Sequence, residues 1–152
     1  MSKENNTQSR EYPDRPIVAV GVVVFKEQHV LLIKRNKPPK SFMWSIPGGA
    51  QGLGEKLQET AKREVFEETG IKIKNVKLLD VVDFIERNEI GDIKFHYSLI
   101  DYAATYKEGS LIAGDDAMEA RWVAMDELEH YNLWTKTTSI IQKAKLEMDV
   151  SG

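Results

Sequence analysis

The sequence contains no cysteine, which excludes disulfide bonds, thiolate metal sites and a cysteine nucleophile and agrees with a cytoplasmic location. It also lacks a long apolar run, since the longest, residues 17–25, falls short of the ~20 residues that a membrane-spanning helix needs. The N-terminus has no apolar signal-peptide segment, and residues 1–14 are expected to form a disordered lead-in. Neither sign of charge dominates, with 21 basic and 24 acidic residues, so no attraction to nucleic acid or to an anionic membrane is expected.

The composition that remains, 41% hydrophobic and 30% charged over 152 residues, suits one globular domain, expected at 15–152. Runs rich in β-branched and aromatic residues predict strands at 17–25, 30–35, 71–85, 93–103 and 120–123. Helices are predicted at 56–69, at 135–148 and, as one or two turns, at 126–131. This order predicts an α/β fold in which helices flank a mixed β-sheet.

Three glutamates stand out in the first predicted helix. Glu64, Glu67 and Glu68 are spaced by three and four residues, which places them on one side of a helix, at the rim of its predicted buried face. Two of them lie in the last turn before Gly70, where the helix dipole disfavours a carboxylate by ~0.3–1 kcal/mol. Clustered carboxylates suit Mg²⁺ or Mn²⁺, although a solvated acidic face with Arg63 paired to Glu67 is the alternative.

A glycine-containing loop precedes this helix. Pro47 fixes the chain, and Gly48 and Gly49 permit close backbone approach, so the loop could offer a carbonyl to a metal ion or an N–H to a phosphate. It is not a Walker A motif, because no Gly-Lys-Ser/Thr follows, and it does not fit G-x-G-x-x-G, because Leu57 stands at the third glycine position.

Loop and helix together resemble the Nudix hydrolase box, G-x5-E-x7-R-E-U-x-E-E-x-G-U, in which U is a bulky aliphatic residue. All nine fixed positions of this 23-residue pattern are filled, by Gly49, Glu55, Arg63, Glu64, Val65, Glu67, Glu68, Gly70 and Ile71. The approach to the box, from Trp44 to Gly48, is also similar to that of the family. One departure is Gly52, where many members carry an acidic residue.

The resemblance implies an α/β/α sandwich that cleaves a nucleoside diphosphate linked to another group. It implies that Mg²⁺, with Mn²⁺ as a substitute, is held by Glu64, Glu67 and Glu68 with the carbonyl of Gly49. Glu55 would then support the site through a salt bridge or an occasional metal contact, and Arg63 would orient a glutamate of the box.

The general base differs among members of the family, some of which use a box glutamate and others an acid on a later loop. In this chain the later loop is 114–119, where Asp116 and Glu119 are better candidates than Asp115. A polar loop that merely precedes a strand is the alternative for each of these residues.

On the substrate side, Lys34 and Arg35 end a strand that leads toward the box and could meet phosphates, as could Gly48. Phe84 could stack on a base, although aromatic residues in strands more often belong to the core. Ordinary charged residues at a strand end are the alternative for the two basic side chains.

Finer similarity, in segments such as 81–87 and 95–102, is to a compact bacterial subgroup of ADP-ribose pyrophosphatases. This implies hydrolysis of ADP-ribose to AMP and ribose 5-phosphate. One alternative is a mutator-type enzyme that hydrolyses (d)NTPs; another is a catalytically silent module that binds a nucleotide derivative. Relatives that act on nucleic acid would have a basic surplus, which is absent here, and a homodimer is possible.

Overall fold

A computed structural model describes residues 10–35, 44–114 and 117–151. Its strands are β1 (Ile17–Lys26), β2 (His29–Arg35), β3 (Trp44–Ser45), β4 (Gly48–Ala50), β5 (Lys72–Arg87), β6 (Ile93–Glu108) and β7 (Ala117–Ala124). Its helices are α1 (Leu57–Thr69), a 3-10 helix (Met125–Tyr131) and α2 (Thr135–Ser151). The strands and helices predicted from the sequence are thus confirmed, with β6 and β7 longer than expected. The two- and three-residue strands β3 and β4 went unpredicted because they are too short to show alternation.

The strands form one mixed sheet in the order β3-β2-β1-β6-β5, with β4 paired to β1 and β7 to β2. The β1–β6 pair is parallel, whereas the other pairs are antiparallel. The helix α1 packs on one face of the sheet, where its Ala61 and Val65 are fully buried. The helix α2 covers the other face with Ile141 and Ala144. The predicted α/β fold, a mixed sheet with helices on its faces, is therefore confirmed.

The sheet divides beside β1, and this division creates room for the glycine loop. β2 stays paired with β1 only next to the hairpin turn, at Phe25↔Val30 and Lys26↔His29. Further back along β1, β4 takes the place of β2, and Gly48 lies opposite Gly21. The chain that enters α1 is consequently held against the central strand of the sheet.

Helix α1 has defined ends. The N–H of Lys56 donates to Oε1 of Glu59 over 2.8 Å, which is half of a capping box. At the other end Gly70 adopts the left-handed conformation, with φ of 78°, and its N–H donates to the carbonyl of Phe66. The predicted stop at Gly70 is therefore confirmed, and it fixes the turn on which the carboxylates stand.

The expected lead-in, 1–14, lies partly within the described residues: the N–H of Tyr12 donates to the carbonyl of Lys94 over 2.8 Å. Residues 1–9 and the loop around Pro38 and Pro39 lie outside the described residues. None of the helices in the described ranges combines the length and apolar character needed to cross a bilayer.

Asp101 is a buried acid that lies away from the glutamate-bearing helix. It is 8% exposed on the α2 side of the sheet, and its Oδ1 would lie 2.7 Å from a Cβ on Gly21. Burial, reinforced by the charge of Asp80 on the neighbouring strand, raises its pKa from 3.8 to about 6. Lys143 of α2 lies 3.7 Å from Asp80.

We expect this acid to make the protein less stable as the pH rises. A carboxyl whose pKa is raised by folding stabilises the fold below the unfolded pKa, and this contribution disappears as the pH rises through the folded pKa. For Asp101 the window runs from about 4 to about 6. Asp101→Asn should therefore gain up to ~3 kcal/mol in free energy of unfolding, relative to wild type, between pH ~4 and pH ~7.

Urea unfolding at several pH values measures this difference. Asp83→Asn, a change at an exposed aspartate of the adjacent strand, is the matched control and should leave the free energy of unfolding unchanged. A difference between Asp101→Asn and wild type that stays constant with pH would contradict the expectation.

Candidate functional site

The site is built around a buried carboxylate on α1. Glu68 is 2% exposed, and its Oε1 accepts the N–H of Gly48 over 3.0 Å. Its Oε2 lies 3.1 Å from Nη1 of Arg35, whose Nη2 donates to the carbonyl of Gly48 over 3.3 Å. Glu68 is thus more deeply buried than the predicted position at the rim, and it joins α1 to β4 and β2.

Glu64 occupies the space beside Gly49. A Cβ on Gly49 would lie 2.4 Å from Cδ of Glu64, closer than real side chains approach one another. Glycine at this position therefore lets a carboxylate of α1 reach the backbone of β4. This contact places Glu64 next to Gly49, whose carbonyl the family resemblance assigns to the metal site.

Arg63 donates hydrogen bonds to three acidic side chains of the site. Its Nε and Nη2 donate to the two oxygens of Glu55, over 2.6 and 3.0 Å. Its Nη1 donates to Glu64 over 2.9 Å and to Glu67 over 3.1 Å. Nη2 also donates to the carbonyl of Ala50 over 3.2 Å. The predicted Arg63–Glu67 pair is present. Arg63 makes two hydrogen bonds to Glu55 and one to Glu67.

The environments of the carboxylates differ, and so do their pKa values. The hydrogen bonds from Arg63 are the main cause that holds the pKa of Glu55 at about 2, and Arg63 itself has a pKa above its usual range. Burial raises the pKa of Glu68 to about 7 against the opposing effect of Arg35. Burial also raises the pKa of Glu64. Glu55 is therefore held in its charged form, whereas burial favours the neutral forms of Glu64 and Glu68.

The residues offer a donor set for a hard cation, since carboxylate and carbonyl oxygens are the ligands that Mg²⁺ and Mn²⁺ prefer. Burial of Glu64 and Glu68 disfavours their charged forms, which a cation would stabilise. Within the described ranges, however, no three acidic, histidine or cysteine side chains converge as a ligand set. Arginine is the counter-charge that these carboxylates contact, Arg35 at Glu68 and Arg63 at Glu64.

The structure does not bring every predicted residue to this cluster. Lys34 lies on the opposite face of β2 from Arg35, with its Nζ 6.0 Å from the ring centroid of Trp44. Glu119 faces Lys34 across the β2–β7 pair and forms an ion pair with Arg121. Neither side chain contacts the glutamates of the box in the described part of the chain.

Phe84 is also remote from the carboxylates. Its half-buried ring packs edge-on against Trp134, with centroids 5.7 Å apart, and lies 6.3 Å from the ring of Tyr97. Gly48, the remaining predicted substrate contact, donates its N–H to Glu68. That N–H is therefore used within the protein.

The loop that carries the predicted base is anchored at the end of α1. The N–H of Gly114 donates to the carbonyl of Glu68 over 3.1 Å, and a Cβ on Gly114 would lie 2.5 Å from the carbonyl oxygen of Glu67. Asp115 and Asp116 follow Gly114 in the chain and lie outside the described residues.

The sequence analysis missed one contributor to the site and the partner of another. The missed residue is Thr60, which is fully buried and donates its hydroxyl to Glu55 over 2.7 Å. Arg35 was predicted to meet phosphates, and in the structure it contacts Glu68, which is 33 positions away in the chain. A buried polar residue on the apolar side of α1 was a weak signal for Thr60, but no local pattern indicates the partner of Arg35.

Comparisons with known proteins identify the family of the chain. The family model for the NUDIX domain matches residues 15–144. A curated relative named ADP-ribose pyrophosphatase, from Methanocaldococcus jannaschii, is 35% identical over 113 residues, 74% of this chain and 64% of that protein. The chain therefore spans slightly less than two thirds of the length of this relative.

Two further proteins extend the comparison. An 8-oxo-dGTP diphosphatase from Buchnera aphidicola subsp. Schizaphis graminum is 24% identical over 124 residues, 82% of this chain and 88% of that protein. The crystal structure of a MutT NUDIX hydrolase from Burkholderia pseudomallei superposes with a TM-score of 0.71 at 28% identity, covering 86% of this chain and 98% of that one. With the box filled, the sheet and helices in place and the NUDIX model matched over most of its length, this chain belongs to the Nudix family.

Proposed function

We propose that the protein is a Nudix pyrophosphohydrolase that cleaves ADP-ribose to AMP and ribose 5-phosphate. The observation that carries this proposal is the arrangement of three glutamates of one helix: Glu68 accepts the N–H of Gly48 and Glu64 lies against Gly49. Glu67 is joined to Glu64 through Arg63. Nudix hydrolases generally use divalent metal ions, and we assign Mg²⁺ to this protein, with Mn²⁺ as a substitute. The 35% identical relative named ADP-ribose pyrophosphatase supports the choice of substrate.

The ion would be held by Glu64, Glu67 and Glu68 with the carbonyl of Gly49, while Glu55 supports the site. When bound, it would screen the charge of the pyrophosphate, activate a water molecule and stabilise the leaving oxygen. No protein nucleophile is needed for that chemistry.

The arginine fixes the geometry of the acidic groups. Its fork holds Glu55, and its remaining N–H groups restrain Glu64 and Glu67 before the substrate arrives. Such restraint reduces the reorganisation needed in the transition state, as does the anchoring of Glu68 to Gly48. In this role Arg63 acts through the carboxylates and does not react itself.

For the general base we propose either Glu67 or Asp116. Glu67 retains 29% side-chain exposure, the largest among the three glutamates, so water can reach it. Asp116 follows a glycine that is bonded to the end of α1. Glu119 is a weaker candidate, because its register opposite Lys34 directs it to the other face of the sheet. Lys34 and Phe84 stay proposed substrate contacts.

A second candidate activity is the hydrolysis of (d)NTPs to monophosphate and pyrophosphate. The specific observation in its favour is the 8-oxo-dGTP diphosphatase that matches over 82% of this chain, although at 24% identity. The third candidate, a silent binding module, is disfavoured because such a module has no need of three glutamates together with Glu55 and Arg63.

Product analysis of a substrate panel tests the proposal. Purified protein with Mg²⁺ is given ADP-ribose, dNTPs, dinucleoside polyphosphates, NADH and sugar nucleotides, and the products are identified by chromatography and mass spectrometry. We expect ADP-ribose to give AMP and ribose 5-phosphate with a kcat/KM at least ~10-fold above that of any dNTP, a difference of about 1.4 kcal/mol in transition-state binding.

Other outcomes of the panel identify the alternatives. Preferred release of pyrophosphate from a dNTP would replace the proposed substrate with the second candidate. Equal and negligible turnover by wild type and by Glu67→Gln on every compound would remove the enzymatic assignment and leave the binding module.

A further inference from the structure

Arg35 joins the loop and the helix on which the proposed metal ligands stand. Its Nη1 lies 3.1 Å from Oε2 of Glu68, and its Nη2 donates to the carbonyl of Gly48 over 3.3 Å. The other oxygen of Glu68 accepts the N–H of the same glycine. The planar guanidinium fork fits two acceptors at once, which an ammonium group cannot do in the same way.

Arg35 and Arg63, the arginine of the box, pair with different glutamates. The carboxylate of Glu68 is 3% exposed, so it needs a charged or hydrogen-bonding partner at each oxygen. Arg63 contacts Glu55, Glu64 and Glu67. Within the residues that the structure describes, Arg35 is the cation that forms an ion pair with Glu68.

The path of β2 explains why Arg35 turns toward the box. Side chains alternate along β2, and Leu31, four residues before Arg35, lies in the core cluster beneath α1. Arg35 therefore lies on the α1 face of the sheet. The register shift after Lys34 puts the extra residue on β7, since Lys34 pairs with Glu119 and Arg35 with Ala117. Both Nη groups of Arg35 then end on protein atoms, 28% of the side chain remaining exposed.

We infer that Arg35 is a positioning residue that holds the carboxylate of Glu68 against Gly48, in the place from which Glu68 binds the metal ion, and is not a phosphate contact. The inference rests on the proposed function, because it takes Glu68 as a metal ligand. It replaces the sequence-based expectation that Arg35 meets the phosphates of the substrate.

Binding of Mn²⁺ to the complete protein, measured by electron paramagnetic resonance without substrate, tests the inference. Arg35→Ala should raise the Kd for Mn²⁺ by about 10-fold or more, the usual cost of removing a partner that orients a metal ligand. Arg35→Lys, which keeps the charge but loses the fork, should recover part of this loss. Arg87→Ala is the matched control, since Arg87 also donates to a backbone carbonyl, at the far end of β5, and its Kd should equal that of wild type.

Thermal unfolding without metal checks that each variant is folded, and Arg35→Gln replaces Arg35→Ala if the latter is not. If Arg35→Ala left the Kd for Mn²⁺ unchanged and raised the KM for ADP-ribose, Arg35 would be a phosphate contact. That result would overturn the inference and leave the proposed function standing. A KM that stays unchanged at saturating Mn²⁺ would support the positioning role. Wild-type protein that binds no Mn²⁺ would overturn the proposed function, and the inference with it.

Discussion

Replacing Glu67 by Gln is expected to reduce kcat by about 10³-fold, while the protein stays folded. The change removes one negative charge and leaves the shape of the side chain, so Arg63 keeps Glu55 and Glu64 as partners. A divalent ion and its ligands contribute several kcal/mol of transition-state stabilisation, and each ~1.36 kcal/mol corresponds to tenfold in rate. Steady-state hydrolysis of the best substrate in the panel measures the loss.

Glu59→Gln is the matched control on the same helix. Glu59 accepts the N–H of Lys56 at the start of α1, and glutamine can accept the same hydrogen bond. We expect this variant to keep kcat within twofold of wild type, a small factor in terms of transition-state stabilisation. If Glu67→Gln lost no more activity than Glu59→Gln, the assignment of Glu67 to the site would be wrong.

The same assay separates the candidates for the base. Glu119→Gln should lose less than ~10-fold, because its side chain lies on the other face of the sheet, whereas a general base supplies more than that. A larger loss in Asp116→Asn, with a changed pH–rate profile, would assign the base to the loop that follows Gly114.

Two adjacent glycines should respond to alanine in opposite ways. A Cβ on Gly48 would lie 2.1 Å from the carbonyl oxygen of Val20, which is backbone of the central strand and cannot move aside. Gly48→Ala should therefore cost about 3 kcal/mol or more in free energy of unfolding, or prevent folding. A Cβ on Gly49 would instead meet the end of the Glu64 side chain, at 2.4 Å from Cδ, and that side chain can turn away.

Gly49→Ala should consequently fold with a loss of less than about 1 kcal/mol and yet lose about 100-fold in kcat, because a displacement near 1 Å at a reacting site has that cost. Urea unfolding and steady-state kinetics of the two variants form the test, each variant serving as control for the other. Equal loss of stability in both would mean that Gly49 is needed for the backbone and not for the space of Glu64.

Parts of the fold followed from local pattern alone. The polar residues Glu27 and Gln28 form the turn between the strands predicted at 17–25 and 30–35, since the apolar run stops there. Gly70 ends α1 because a left-handed residue is needed at that cap. In contrast, the insertion of β4 beside β1 depends on Gly21 and Gly48 facing each other across 27 positions, a contact that no local pattern records.

The same division holds within the site. The spacing of Glu64, Glu67 and Glu68 on one helix requires only a helical period of 3.6 residues, and the box pattern adds Glu55 and Arg63. How deeply each acid is buried depends on what packs over it. Glu68 is nearly inaccessible because β4 and Arg35 cover it, whereas Glu67, one residue earlier, stays in reach of solvent.

The sequence by itself determined which residues carry the charges of this Nudix protein, because motif spacing and helical period are local properties. Tertiary structure alone decided which acids are buried, that Arg35 pairs with Glu68, and that Lys34 and Glu119 lie on the other face of the sheet. The physical reason is that the pairing of β2 with β7 and the packing of β4 against β1 arise from contacts between distant segments. These contacts set the direction of each side chain and the solvent that reaches it.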